Sequence, residues 1–233
     1  MTQAEQNTGT HNSTIELQSY DLIMFDLDGT LVDSVPDLSN AMDATLNQHG
    51  LPSAGVERVR DWVGNGAAKL VSRGLAWAKQ CTEDELARAL FDEVYLSFLE
   101  HYGRTNGQYA RLYEGVLPLL TQLKGNIPLA VVTNKPMAFT TPLLNALGID
   151  HYFAHVAGGD SFPEKKPHPQ PLQEIINAAN AQNPVMIGDS ISDVKAARAA
   201  NIPVVCVSYG YNHGQDIRLS NPDLVIDSLA SLL

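Results

Sequence analysis

The sequence predicts an α/β protein: a parallel β-sheet covered by helices on both faces, with an all-helical domain inserted after the first strand. Three observations carry this reading. Short apolar runs recur, each ending in a polar turn, and helical patterns separate most of them. Between the first two runs, by contrast, the chain shows only helical periodicity. Strands buried on both faces read as continuous apolar runs, and alternation with helices points to a parallel sheet layered on both sides.

The elements follow in order. Residues 1–19 are polar and rich in Gln, Asn and Thr, and are read as a disordered tail. Residues 21–27, built on Leu22-Ile23-Met24-Phe25, form the first strand. Asp33 or Ser34 then caps a helix with Pro36 in its first turn. Thr82-Glu83-Asp84-Glu85 is a capping box that opens a helix toward His101. A crossover between parallel strands needs only about a dozen residues, so residues 35–112 are an inserted helical domain. Its linkers lie near Ser34 and over residues 103–113, where Gly103, Asn106 and Gly107 cluster. Four further strands are expected at 127–133, 152–157, 184–187 and 203–207. Helices are expected at 115–124, 136–147, 169–180 and 190–200. The sheet domain therefore comprises residues 20–34 and 113–233.

Bulk properties narrow the function. With 44% hydrophobic residues in 233, the chain builds a sizeable core, yet no apolar run approaches the roughly 20 residues of a membrane span. The polar start has no signal-peptide pattern, so a cytoplasmic protein without a membrane partner is expected. The net charge of −11 argues against a nucleic-acid partner, which needs a cationic surface. Cys81 and Cys206 have neither metal-ligand spacing nor a partner pattern, and read as reduced thiols. A monomer or small homo-oligomer is expected.

Four polar signals stand at strand ends, the edge where open α/β sheets bind ligands. The first is Asp26-Leu27-Asp28-Gly29-Thr30. Carboxylates at the end of a buried strand are costly unless paired or holding a metal. Such a pair offers a nucleophile and a general acid/base. The second is Thr133-Asn134, where a hydroxyl and a backbone N–H suit phosphate oxygens, although taken alone a plain helix cap before Pro136 is the better reading. The third is Lys165-Lys166-Pro167-His168-Pro169, a proline-flanked turn whose lysine can neutralise a phosphoryl group. The fourth is Gly188-Asp189-Ser190 with Asp193 one helical turn on. Two hard carboxylates there can face one Mg²⁺.

Taken together and in this order, the four motifs resemble those of phosphatases of the haloacid dehalogenase superfamily, over residues 20–233. The resemblance implies a Rossmann-like α/β core with an inserted α-helical cap, and a phosphoric monoester hydrolase that uses Mg²⁺. Asp26 would be nucleophile and metal ligand. Asp28 would be general acid/base and would lend its backbone carbonyl to the metal. Thr133 and Lys166, with Asn134 beside them, would bind the phosphoryl group. Asp189 would ligate Mg²⁺, with Asp193 as ligand or support.

The substrate, a small phosphorylated metabolite, would be chosen by the cap. Its informative segment runs from Arg60 to Lys69, where Gly64-Asn65-Gly66 leads into a helix between two cations. Free backbone N–H groups and a positive dipole end suit a small anionic head group, though by composition alone an ordinary helix–turn–helix connection with a surface Arg and Lys is the better reading. This segment, Val35-Pro36-Asp37-Leu38 and residues 162–167 are similar to bacterial phosphoglycolate phosphatases. The resemblance therefore implies 2-phosphoglycolate, its carboxylate meeting Arg60, Lys69 or the cap amides. Phosphatases for a sugar phosphate or pyrophosphate, a phosphosugar mutase and a non-enzymatic binding protein are the alternatives. The dehalogenases and phosphonatases of the superfamily lack the second acid, so Asp28 stands against both.

Overall fold

A computed structural model describes residues 16–233. Residues 1–15, most of the expected tail, lie outside the described residues. The expected tail ends sooner than position 19, because Leu17–Ser19 forms a 3₁₀ turn and Leu17 is buried in the core. An apolar side chain in a polar tract gives this segment something to bury.

Strand β1 spans Leu22–Phe25 and a short β2 spans Val32–Asp33. Four helices follow: α1 (Val35–Gln48), α2 (Val56–Trp62), α3 (Ala67–Lys79) and α4 (Arg88–Thr105). The chain returns through β3 (Arg111–Leu112) and α5 (Val116–Leu123). It then alternates β4 (Leu129–Val132), α6 (Met137–Ala146), β5 (His155–Ala157), α7 (Gln170–Ala179), β6 (Pro184–Gly188), α8 (Ile191–Ala199), β7 (Val204–Val207) and β8 (Leu224–Ile226).

The main sheet is parallel, in the order β5-β4-β1-β6-β7-β8. β1 is central. Ile23 and Phe25 enter one apolar cluster with residues of α5 and α6, while Leu22 and Met24 enter another with residues of α7 and α8. That split follows from the two-residue repeat of a strand. Because the order runs outward from β1 in both directions, a crevice opens at its C-terminal end, between β4 and β6.

The helical insertion has its own core, with Met42, Leu46, Val71, Leu75, Val94 and Phe98 fully buried. Its two linkers pair as antiparallel strands, Val32 with Leu112 and Asp33 with Arg111. The buried Asp37 carboxylate ties the start of α1 to the return strand by accepting from Gly107 N (2.6 Å) and Tyr109 N (2.7 Å).

Three local expectations are corrected. The Ser34 hydroxyl makes no cap hydrogen bond to α1. The capping box at Thr82 forms, with Glu85 accepting from Thr82 N at 2.7 Å, but it opens only a 3₁₀ turn over Glu83–Glu85. The extended Leu86 then packs on the helical core, and α4 starts at Arg88. Strand β8, unforeseen, follows Asp223, whose side chain holds Val204 N at 2.7 Å and so locks β8 to β7.

The burial of Leu17 is testable. Leu17→Ala is expected to lower the unfolding free energy by about 2–3 kcal/mol, read by urea denaturation. Unchanged stability would show that the segment does not pack on the sheet.

Candidate active site

Adjacent strands deliver the functional side chains to the crevice. β1 ends into Asp26 and Asp28, β4 into Thr133, Asn134 and Lys135, and β6 into Asp189. Asp193 stands in the first turn of α8. Lys166 comes from the loop before α7, and its buried ammonium bridges two acids: Asp193 Oδ1 at 2.6 Å and Asp26 Oδ1 at 2.9 Å.

Each carboxylate has a different surrounding. Asp193 is saturated. Its Oδ2 accepts from Ser190 N (3.0 Å) and Ser190 Oγ (2.8 Å), and its Oδ1 takes Lys166. Asp189 accepts from Thr30 Oγ1 at 2.9 Å and from Tyr211 N. Two glycines make room for it. A Cβ on Gly210 would stand 2.1 Å from the Asp189 Cβ, and one on Gly29, whose φ is +91°, would stand 2.3 Å from Asp189 Oδ2. Asp26 Oδ1 is buried without a hydrogen-bond donor, because Lys166 approaches it off the bonding angle.

Carboxylate oxygens of Asp26, Asp189 and Asp193 lie within 4.8 Å of one another, all three residues buried. Three such groups against one ammonium leave two negative charges in a low-dielectric pocket. Burial pushes the Asp26 carboxyl up to about 6; Asp193 and Asp28 add to this and Lys166 opposes it. Burial, then Asp26 and Asp193, likewise lift Asp189 well above the usual carboxylate range. Lys166 moves the other way. Burial alone would lower its pKa, but Asp193 and Asp26 outweigh burial and raise it. An excess of two negative charges, hard oxygen donors and an orphaned carboxylate oxygen suit a divalent cation.

Asp28 stands apart from this cluster. Its carboxylate accepts from Lys135 Nζ at 3.0 and 3.2 Å, and Lys135 also donates to the hydroxyl of Tyr102 on α4. Lys135 and Tyr102 are both buried, and Tyr102 stacks on Phe98 and packs at a tilt against Phe139. Thr133 is buried and its Oγ1 accepts from Lys135 N at 3.2 Å. Asn134 acts as a brace, donating to Lys166 O at 2.9 Å and to Gly64 O of the insertion at 3.3 Å.

The sequence-derived candidates thus divide. Asp26, Asp28, Thr133, Asn134, Gly64 and Gly66 line one cleft, while Lys166, Asp189 and Asp193 stand behind it against Asp26. Asn65 faces elsewhere, accepting from Arg73 at 2.8 Å and lying 3.4 Å from Ser192 Oγ. Arg60 and Lys69 do not line the cleft. The Arg60 guanidinium lies over the Tyr211 ring, 3.9 Å from Asp33, and Lys69 pairs with Glu83 at 2.9 Å. Two contributors escaped the sequence reading: Lys135 and Tyr102. Lys135 carried a usable signal, a lysine directly after Thr133-Asn134 and held by Pro136. Tyr102 carried none, since nothing local distinguishes it from a core aromatic.

The family model for haloacid dehalogenase-like hydrolases matches residues 23–207, which include every motif just described. The chain belongs to this family. A phosphoglycolate phosphatase of Nitrosococcus oceani is 48% identical over 222 residues, covering 93% of this chain and 96% of its own. Phosphoglycolate phosphatase 1 of Pseudomonas aeruginosa is 43% identical over 220 residues, 91% of this chain and 78% of its own. The crystal structure of a predicted phosphoglycolate phosphatase from Haemophilus somnus superposes with a TM-score of 0.87. It is 38% identical, over 93% of this chain and 97% of that one.

In this hydrolase the crowded carboxylates give stability a defined pH dependence. Asp26 and Asp189 hold protons more tightly folded than unfolded. As pH rises from the ordinary carboxylate range through about 6, the folded state binds the extra protons, so stability falls. In chelator, the urea-unfolding free energy of the wild type is expected to decrease over that interval. Asp26→Asn should flatten the decrease and be the more stable protein at neutral pH. Parallel pH profiles would contradict this electrostatic account.

Proposed function

We propose that this chain is a Mg²⁺-dependent phosphatase that hydrolyses 2-phosphoglycolate to glycolate and phosphate through an aspartyl-phosphate. The observation that carries the reading is the division of labour between the two acids at the end of β1. Asp26 lies in the charged cluster with Lys166, and Asp28 lies outside it on the cleft side with Lys135. The phosphoglycolate phosphatases to which this chain is 43–48% identical support the choice of substrate.

Asp26, Asp189 and the backbone carbonyl of Asp28 would hold Mg²⁺, which when bound offsets the repulsion between carboxylate and phosphoryl group and favours charge on the phosphoryl oxygens. Asp193, held by Ser190, positions Lys166 and stands by as a ligand or support. A carboxylate oxygen of Asp26 attacks phosphorus in line, and the bond from phosphorus to the ester oxygen breaks. Lys166 and Thr133 stabilise the equatorial oxygens. Asp28 gives its proton to the departing alkoxide, so glycolate leaves as the alcohol. The Asp28 carboxylate then takes a proton from water as that water attacks phosphorus. The bond between Asp26 and phosphorus breaks, inorganic phosphate leaves, and both acids return to their starting states. The insertion covers the cleft and keeps bulk water from the acyl phosphate.

Initial rates over a panel of phosphorylated metabolites, with and without Mg²⁺, are expected to be highest for 2-phosphoglycolate and to vanish in chelator. A higher kcat/KM for a sugar phosphate would overturn the substrate. Asp26→Asn should abolish turnover with the fold intact by circular dichroism.

Asp28→Asn has a distinct signature. Loss of one general acid/base lowers kcat by about 10²–10⁴-fold. With p-nitrophenyl phosphate, whose leaving group needs no proton, the variant should release a stoichiometric burst of p-nitrophenol and then stall. Steady turnover at the wild-type rate would remove Asp28 from the mechanism.

A further inference from the structure

We propose that Lys135, a residue of the sheet domain, is the cation that reads the substrate's carboxylate, and that the Tyr102 hydroxyl of the helical insertion completes this subsite. The inference rests on the phosphatase reading above and locates the specificity of the same site.

Position is the first argument. Among the described residues the cleft is lined by one cationic side chain, Lys135; Arg60 and Lys69 lie outside it. Lys135 Nζ is 3.0 Å from Asp28 Oδ1, so it sits on the side where the ester oxygen departs. In phosphoglycolate a single methylene joins that oxygen to the carboxylate carbon. A substrate that presents its ester oxygen to Asp28 therefore brings its carboxylate to Lys135.

Charge balance is the second argument. The Lys135 side chain is 3% exposed, so its ammonium depends on local anions. Its partners are the Asp28 carboxylate at 3.0 Å and the Tyr102 hydroxyl. In the proposed cycle Asp28 is neutral while it holds the proton for the leaving oxygen. A carboxylate beside Lys135 then supplies the missing counter-charge. A neutral ester supplies none, which discriminates against it as strongly as the direct contact does.

The walls are the third argument. Besides Lys135 and Tyr102, the insertion and its neighbours line the cleft with the apolar Leu38, Val63, Ala67 and Leu70. These side chains give no partner to the hydroxyls of a sugar phosphate, whose desolvation would go uncompensated. Lys135 donates to the Tyr102 oxygen, which leaves the phenolic proton for an acceptor in the cleft. Tyr102 arrives on α4, so the subsite is whole only with the insertion seated on the sheet domain.

The test compares 2-phosphoglycolate with 2-hydroxyethyl phosphate, which keeps the ester and replaces the carboxylate with a neutral group. The readout is the ratio of the two kcat/KM values in Mg²⁺, for wild type, Lys135→Met, Tyr102→Phe, Arg60→Ala and Lys69→Ala. Lys135→Met is expected to cut the ratio by about 10–100-fold, the worth of a charge-assisted hydrogen bond. Tyr102→Phe should shift it in the same direction by less. Arg60→Ala and Lys69→Ala should leave it at the wild-type value.

A fall of both substrates by one factor in Lys135→Met, with the ratio kept, would show that Lys135 acts only through Asp28 and would overturn the proposal. So would a drop in the ratio confined to Arg60→Ala or Lys69→Ala. A binding measurement free of catalysis accompanies it: calorimetric Kd values for 3-phosphonopropionate and 3-hydroxypropylphosphonate should converge in Lys135→Met. If that variant does not fold, Tyr102→Phe, which removes one oxygen, decides on the same ratio. A wild type that hydrolyses both esters equally would instead refute phosphoglycolate as the substrate, an outcome distinct from a preference that survives Lys135→Met.

Discussion

The structure depends on keeping an excess of negative charge buried at the end of one strand. Three carboxylates and a single ammonium share the pocket behind Asp26. An ion pair taken out of water is costly unless geometry and further hydrogen bonds compensate it. Here the compensation is local and directional. Asp193 is held by Ser190 through both backbone and hydroxyl, and so becomes a fixed anchor for Lys166. Asp189 is held by Thr30 from the β1 turn and by Tyr211 from beyond β7. Small residues at positions 29 and 210 admit this packing, because any Cβ there meets the Asp189 side chain. The acids that remain under-compensated are the two that a divalent cation would contact, and that selectivity distinguishes the cluster from a merely strained one.

The same constraint explains where the helical insertion joins. It leaves the sheet domain immediately after the β1 turn, so its linkers stand beside the charged cluster. β2 and β3 pair the outgoing and returning chain, and Asp37 bonds the start of α1 to the return strand. Contacts made by Tyr102, Gly64 and Asn65 then reach across to Lys135, Asn134, Lys165 and Ser192. Most of these are single hydrogen bonds between polar groups. Two sheet-domain residues reach the apolar core of the insertion: Tyr211 enters it and Phe139 packs against it.

Much of this was legible in the sequence, for a physical reason. Strands covered on both faces need continuous apolar runs, and polar side chains at the ends of such runs have few roles besides ligand chemistry. That made Asp26, Asp28, Thr133, Lys166 and Asp189 visible as a set. β8 was not visible because Leu224-Val225-Ile226 is short and its place depends on Asp223 reaching Val204. The start of α4 was misplaced because the Thr82 box satisfies local donors equally well in a 3₁₀ turn, and burial of Leu86 decides between the two. Arg60 and Lys69 were attractive as cations near a glycine-rich turn. Sequence proximity says nothing of direction, and each found a nearer partner, one an aromatic ring with Asp33 and the other Glu83. Lys135 and Tyr102 are separated by 33 positions, and their contact exists only through the docking of the insertion.

Under the function proposed above, the two buried lysines would serve the two anionic ends of one substrate. Lys166 belongs to the cluster around Asp26, where charge is transferred, and its place is set by Asp193. Lys135 belongs to Asp28, where the leaving group departs, and its place is set by Tyr102. Had a single cation served both ends, phosphate and carboxylate would compete for it, and binding energy would be spent on ground state and transition state alike. Separate cations let the carboxylate contact persist through the reaction as an anchor, while the contact to the phosphoryl oxygens strengthens as charge develops there. Each lysine thereby marks out one half of the chemistry. In the proposed cycle Asp26 would attack beside Lys166, and Asp28 would move the proton beside Lys135. On that proposal substrate choice would follow from the acid/base pair itself, since the group that holds Asp28 would also be the one that meets the carboxylate.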